Sequence, residues 1–169
     1  MNKNYVIIGG SSGIGKELVK IIAGQGNNVF ATYNENIVEN SDKVHYQKFD
    51  VLNDSLNIDS LPDEIDGLAY CPGSINLKPF KRFTDEDFIS DFKLQVVGAT
   101  SVIKDLLSRL SAGSNSSIVL FSTIAVQNGF NFHSQVSMSK GAIEGLTRSL
   151  AAELAPKIRV NALAPSLTD

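Results

Sequence analysis

Residues 4–26, "NYVIIGGSSGIGKELVKIIAGQG", decide how the chain folds. An apolar strand pattern, "YVII", runs without a break into glycines at positions 9, 13 and 15, and a helical pattern opens behind them. A glycine-rich strand-to-helix turn lets the backbone approach a pyrophosphate closely, and a helix N-terminus supplies free N–H groups with a partial positive charge. Ser11 and Ser12 add hydroxyl donors, and Gly24 and Gly26 can end the helix. Taken alone, the same glycines also fit an ordinary turn with positive φ angles.

The rest of the chain repeats this alternation. Short apolar runs, "NVFATY", "VHYQKFD", "DGLAYC", "SIVLFS" and "IRVNALAP", are separated by a patterned stretch from Asp85 to Leu110 and by a helix from about Ser134 to Leu154. Thr84 followed by three acidic residues reads as a helix start, Pro156 as a helix stop, and "SAGSNSS" (111–117) as a polar loop. Strands alternating with helices imply right-handed crossovers and a parallel sheet. Runs such as "VII" and "SIVLF", apolar on successive residues, imply strands covered on both faces. The expected fold is therefore α/β: one Rossmann-like domain over residues 1–169, a doubly wound parallel sheet with helices on both faces.

With 169 residues and 43% of them hydrophobic, the chain can bury one sizeable core. A formal charge of −3 with no basic run gives no footprint for nucleic acid. No polybasic stretch or long apolar run argues for a membrane, and the N-terminus reads as cytoplasmic, without a signal-peptide core. A small-molecule substrate is expected. Cys71 is the single cysteine, so no internal disulfide and no cysteine metal cluster are possible; with two scattered histidines no metal site is indicated. Cys71 itself reads as a small buried residue closing a strand.

The glycine spacing resembles that of the short-chain dehydrogenase/reductase family, and further landmarks recur in order along the chain. "FDV", ending at Asp50 and Val51, resembles the place where that family meets the adenine. "LAYCPG", closing on Gly73, resembles its Asn-Asn-Ala-Gly turn. "SIVLFSTIA" resembles the strand bearing its serine, and "SKGAIEGLTRSLAAELAPKIRVNALAP" its lysine helix, next strand and proline turn at Pro165. The resemblance implies a dinucleotide held by Gly9, Ser11, Ser12, Gly13, Ile14, Gly15, Thr32, Asp50, Val51, Gly73, Lys140 and Pro165. Thr32 stands where NAD-preferring relatives hold an acid against the ribose diol, so NADP is expected over NAD, although no arginine stands ready for a 2′-phosphate.

The family's proton-transfer set is altered. Lys140 matches its lysine, but Val136 stands at the tyrosine, Thr123 at the serine with Ser122 before it, and Gln95 at the asparagine. Threonine keeps a hydroxyl and glutamine an amide, whereas valine has no titratable group. His133, seven residues before Lys140, resembles the tyrosine position of the enoyl reductase branch, and histidine titrates near neutrality. It reads equally as a loop histidine at the mouth of the helix. Thr123, Lys140 and His133 are thus the candidate catalytic residues. "NGFNFH" (128–133) fits either an apolar substrate wall or a core or interface element.

The resemblance implies an NAD(P)(H)-dependent oxidoreductase acting on a small carbonyl, alcohol or enone, and a homodimer or homotetramer. The alternative is a catalytically silent dinucleotide-binding sensor or inactive partner subunit. Relatives continue beyond "NALAPSLTD" with a last strand, and Ser166 replaces their usual glycine, so a sheet lacking that strand and a truncated chain are expected.

Overall fold

The computed structural model describes residues 2–166. Six parallel strands, β1 (Asn4–Ile8), β2 (Asn28–Tyr33), β3 (Val44–Lys48), β4 (Gly67–Tyr70), β5 (Ser116–Phe121) and β6 (Ile158–Leu163), form one sheet in the order β3-β2-β1-β4-β5-β6. The chain winds outward from β1 to one edge, returns, and winds outward from β4 to the other. Because the crossovers diverge between β1 and β4, a crevice opens at the carboxyl ends of these strands, where ligands bind in sheets of this kind.

The helices are α1 (Gly13–Gly24), α2 (Asp85–Phe92), α3 (Gly98–Ala112), the single-turn α4 (Ala125–Asn128) and α5 (Ser134–Leu154). One face of the sheet buries Val6, Ile8, Leu68, Ile118, Leu120 and Ile158 against Val102, Leu106 and Leu110 of α3 and Ile143 of α5. Each such side chain contributes about 1.5–3 kcal/mol by leaving water. On the other face, Leu18, Val19, Ile22 and Ala23 of α1 pack on Ile7, Val29, Ala31 and Ala69. Helices lie on both faces as expected, but unequally. Segment 34–43 between β2 and β3 is irregular, and β5 alternates buried with half-buried residues instead of being covered twice. On β6, Arg159, Asn161 and Leu163 face solvent for the same reason: α1 reaches only the β1 to β4 half of that face.

Thr84 caps α2 with a reciprocal capping box to Asp87, and α1 ends at Gly24 with Gly26 at φ 86°. The stretch from Asp85 to Leu110, read as one patterned unit, is broken by a π-helical turn at Lys93–Val97. Tyr70 accounts for the break. Its hydroxyl donates to the Leu94 carbonyl at 2.6 Å, taking an acceptor out of the helical ladder. A Cβ on Gly98 would stand 2.2 Å from Val51 Cγ1 and 2.4 Å from the Tyr70 hydroxyl, so the helix can lie this close only at glycine. The polar loop is also shorter than expected, because α3 runs to Ala112 and β5 begins at Ser116.

Candidate active site

At the carboxyl end of β1 the loop takes positive φ at Gly9 (77°) and Gly13 (50°), which suits residues without a Cβ. Gly15 has a different reason to be glycine: a Cβ there would stand 2.2 Å from the Gly9 carbonyl oxygen. Ser12 is the extended N-cap of α1; its carbonyl accepts from Lys16 N, and its hydroxyl makes no cap bond. The amides at the first turn of α1 therefore have no partner within the helix, and no acidic side chain competes for them. A Cβ on Gly13 would meet nothing within 4 Å, so the approach to these amides is open.

Thr32 is placed differently from the expectation that it meets a ribose. It is 2% exposed, and its hydroxyl oxygen accepts the Gly9 N–H at 2.9 Å while its carbonyl accepts the Gly10 N–H. Thr32 clamps the glycine loop from behind, and Tyr33 and Asn34 are the first groups to reach the rim. The Tyr46 hydroxyl adds a bond to the Gly10 carbonyl, and burial raises its pKa. Asp50 closes a turn by accepting from Leu52 N and Asn53 Nδ2, bonds that hold its carboxyl below the usual range. Val51 packs toward Gly98, away from the cavity described next.

That cavity, of about 550 Å³, lies beyond the loop, with Ile14 at one side and Pro165 and Ser166 at another. It brings Gly73, Thr123, His133, Val136 and Lys140 together. Gly9, Ser11, Ser12, Thr32, Asp50 and Val51 lie outside its walls. Val136 is 3% exposed and sits one helical turn before Lys140, so an apolar side chain occupies the place next to the lysine. Thr123 follows β5, with only a long contact from Ala125 N to its hydroxyl, whereas Ser122 donates to Glu144 at 2.7 Å and is committed elsewhere. His133 holds its Nδ1 2.8 Å from the Asn131 carbonyl. A carbonyl can only accept, so that nitrogen carries the proton and Nε2 is the one left for other partners. Phe130 stands edge-on to the imidazole at 5.5 Å, and Phe132, a non-glycine residue at φ 69°, bends the chain just before it.

Lys140 is half-buried, and burial lowers its pKa to about 8, with the Asp91 carboxylate pulling the other way. Burial pushes the Cys71 thiol up to about 12, against the pull of Lys140. Cys71 is half-buried and lines the cavity. Gln95, in the π-helical turn, donates through Nε2 to Asp91 Oδ1 at 2.7 Å, and Ser74 Oγ donates to the same oxygen at 3.0 Å. Asp91 and Ser74 escaped the sequence reading. The available signal was a polar pair, Asp91 and Gln95, spaced i, i+4 in an otherwise apolar stretch.

The family model described as short chain dehydrogenase matches residues 3–169. The chain belongs to the short chain dehydrogenase family. Among curated relatives, the uncharacterized oxidoreductase YmfI of Bacillus subtilis is 31% identical over 188 aligned positions, covering 100% of this chain and 76% of the relative. The L-2,3-butanediol dehydrogenase of Corynebacterium glutamicum is 29% identical, covering 99% and 72%. A short-chain dehydrogenase/reductase structure from Burkholderia xenovorans superposes with a TM-score of 0.87 at 26% identity, covering 99% of this chain and 78% of that one. The structure "ElxO with NADP Bound" shares the fold at a TM-score of 0.83 and 22% identity, covering 99% and 74%.

Short chain dehydrogenases use NAD(P), and the residues present fit such a group. The open first turn of α1, the absence of acid there, and the close Gly15 to Gly9 packing form a cradle for a pyrophosphate at the crevice between β1 and β4. Among the described residues no cluster of metal-ligating side chains is present, and no helix is long and apolar enough to cross a membrane.

Proposed function

We propose that this short chain dehydrogenase is an NAD(P)(H)-dependent oxidoreductase acting on a small carbonyl, alcohol or enone. The observation that carries the reading is the meeting of Lys140, Thr123 and His133 in one mostly apolar cavity beside the α1 N-terminus. Gly9, Gly13 and Gly15, with the Ser11 and Ser12 hydroxyls, would hold the pyrophosphate, Asp50 and Val51 the adenine end, and Gly73, Lys140 and Pro165 the nicotinamide half.

A nicotinamide dinucleotide, when bound, supplies or accepts hydride. The chain's own residues manage the oxygen. In the reducing direction, Thr123 donates its hydroxyl hydrogen to the carbonyl oxygen and stabilises the charge that develops there. His133 delivers a proton to that oxygen from Nε2 and is left neutral with its proton on Nδ1, held by Asn131. Lys140 places positive charge beside the same region, and Val136, Ile75 and Phe130 give the cavity apolar walls. NADP is favoured over NAD because β2 ends in Tyr33 and Asn34, with no carboxylate at the rim to repel a 2′-phosphate before Glu35. Exposed Val97 and Met138, on the π-helical turn and α5, support a homodimer or homotetramer built on these helices, which sedimentation tests.

The deciding experiment is calorimetric titration with NADPH and NADH, followed by a carbonyl and enone panel read at the nicotinamide absorbance. Binding with turnover that falls about a hundredfold in His133→Ala supports the reading. Tight binding with no turnover of any substrate would make the protein a silent dinucleotide binder, and failure to bind either dinucleotide would overturn the reading.

A further inference from the structure

A buried carboxylate behind the cavity is left unexplained by this chemistry. Asp91 is 4% exposed, and both of its donors, Ser74 Oγ and Gln95 Nε2, converge on Oδ1. Among the described residues, Oδ2 is buried with no hydrogen-bond partner and no cation lies within salt-bridge distance of either oxygen. Taking an isolated carboxylate out of water costs several kcal/mol, so its charge needs a counter-charge nearby.

Gln95 shows where the counter-charge is. The residue is 1% exposed, and its amide has two unlike ends. A carboxylate accepts but does not donate, so the NH2 end must face Asp91 and the oxygen must face away. That oxygen, Oε1, is buried and unpartnered among the described residues. On its far side a Cβ placed on Gly73 would stand 3.3 Å from Gln95 Oε1 and 3.6 Å from Lys140 Nζ. The missing side chain of Gly73 is therefore the gap across which the amide oxygen faces the ammonium. The π-helical turn, held by Tyr70, sets this orientation by placing Gln95 inward at the break between α2 and α3.

We propose that Asp91 is a positioning residue for Lys140: its carboxylate turns the Gln95 amide so that the oxygen faces the lysine, and it keeps an ammonium at the head of the substrate cavity. The inference rests on the proposed oxidoreductase reading for its purpose, but its physics does not depend on it. Where the tyrosine position holds valine, Lys140 loses the polar neighbour on its own helix, and a carboxylate from α2 supplies charge stabilisation from the opposite side. The other titratable groups around Lys140 do not substitute for it. Cys71, at the end of β4, is a neutral thiol because burial pushes it up to about 12. Glu144, one turn further along α5, accepts from Ser122 and faces Arg148. Asp87 on α2 is bound to Lys78 and Thr84. His133 lines the cavity and bonds to Asn131. Burial holds Lys140 down at about 8 while Asp91 opposes it, so removing the carboxylate lowers it further.

The test labels the free protein with acetic anhydride across a pH series and quantifies the Lys140 peptide by mass spectrometry, with no dinucleotide or substrate present. In Asp91→Asn the midpoint for Lys140 labelling should fall by about one unit, and labelling at about pH 6.5 should quicken several-fold, while Asp91→Glu restores the midpoint. Gln95→Leu keeps the carboxylate but removes the amide between it and the lysine, and should move the midpoint the same way. It decides the matter if Asp91→Asn does not fold, as checked by circular dichroism. A midpoint unchanged in the folded variants overturns the proposal. Because labelling needs neither cofactor nor turnover, a protein that proves inactive yet shows the shift would sink the oxidoreductase reading and leave this inference standing.

Discussion

The Gly9 amide hydrogen bonds to the side-chain oxygen of Thr32 at 2.9 Å, so the second strand sets where the glycine loop begins. Thr32→Val keeps the shape and removes the acceptor. A half-buried N–H left without its acceptor costs at most about 1–3 kcal/mol. Thermal unfolding should show that loss, and calorimetry should show weaker dinucleotide binding. Unchanged binding of both NADPH and NADH would mean that the loop holds its shape without the clamp.

Gly15→Ala acts on the same loop from the helix side. The new Cβ would start 2.2 Å from the Gly9 oxygen, and backbone cannot swing aside as a flexible side chain can. Displacing the start of α1 should cost about 1–3 kcal/mol and weaken dinucleotide binding at least about tenfold. Ordinary affinity in a folded Gly15→Ala protein would show that the close packing at this turn is dispensable.

Val136→Tyr returns a phenol to the turn before Lys140. The valine is 3% exposed but lines the cavity, so the larger ring has a direction in which to project. Over-packing should cost about 1–3 kcal/mol, while a second proton donor beside the lysine should raise carbonyl reduction by about a hundredfold. Steady-state rates on the same carbonyl panel check this. A stable Val136→Tyr protein with no gain would count against Thr123 as the group that receives the substrate oxygen.

Lys140 makes stability depend on pH with a definite sign. Burial lowers it from 10.5 to about 8 in the folded protein. Between these values the unfolded chain holds the proton and the folded one has released it, so stability rises with pH across that window. Below about pH 8 both states are protonated, and the buried charge exerts its whole cost, on the order of 3 kcal/mol. Lys140→Met should be more stable than the parent at about pH 7 and should lack its gain between about pH 8 and 10. Parallel melting curves for the two proteins across that range would exclude the buried ammonium.

The legible parts of the sequence were those written in local patterns. Thr84 with Asp87 marked the start of α2, Gly24 and Gly26 the end of α1, and apolar runs each strand. Cover on β5 was misjudged because "SIVLF" gives no sign that α1 reaches only as far as β4. The break in the Asp85 to Leu110 stretch was hidden because its cause, Tyr70, lies 24 residues from the carbonyl it captures.

By itself, then, the sequence determined the alternation of strand and helix, the glycine loop on which a dinucleotide can rest, and the valine where a titratable group was expected. These depend on period, backbone freedom and side-chain chemistry, all of which neighbouring residues carry. Only the tertiary structure decided that Thr32 holds the glycine loop from behind, that Gln95 turns inward, and that Asp91 stands behind Lys140. Each of these is a contact between elements that meet only when the sheet closes, and burial there sets both the cost of a charge and the partner it must have.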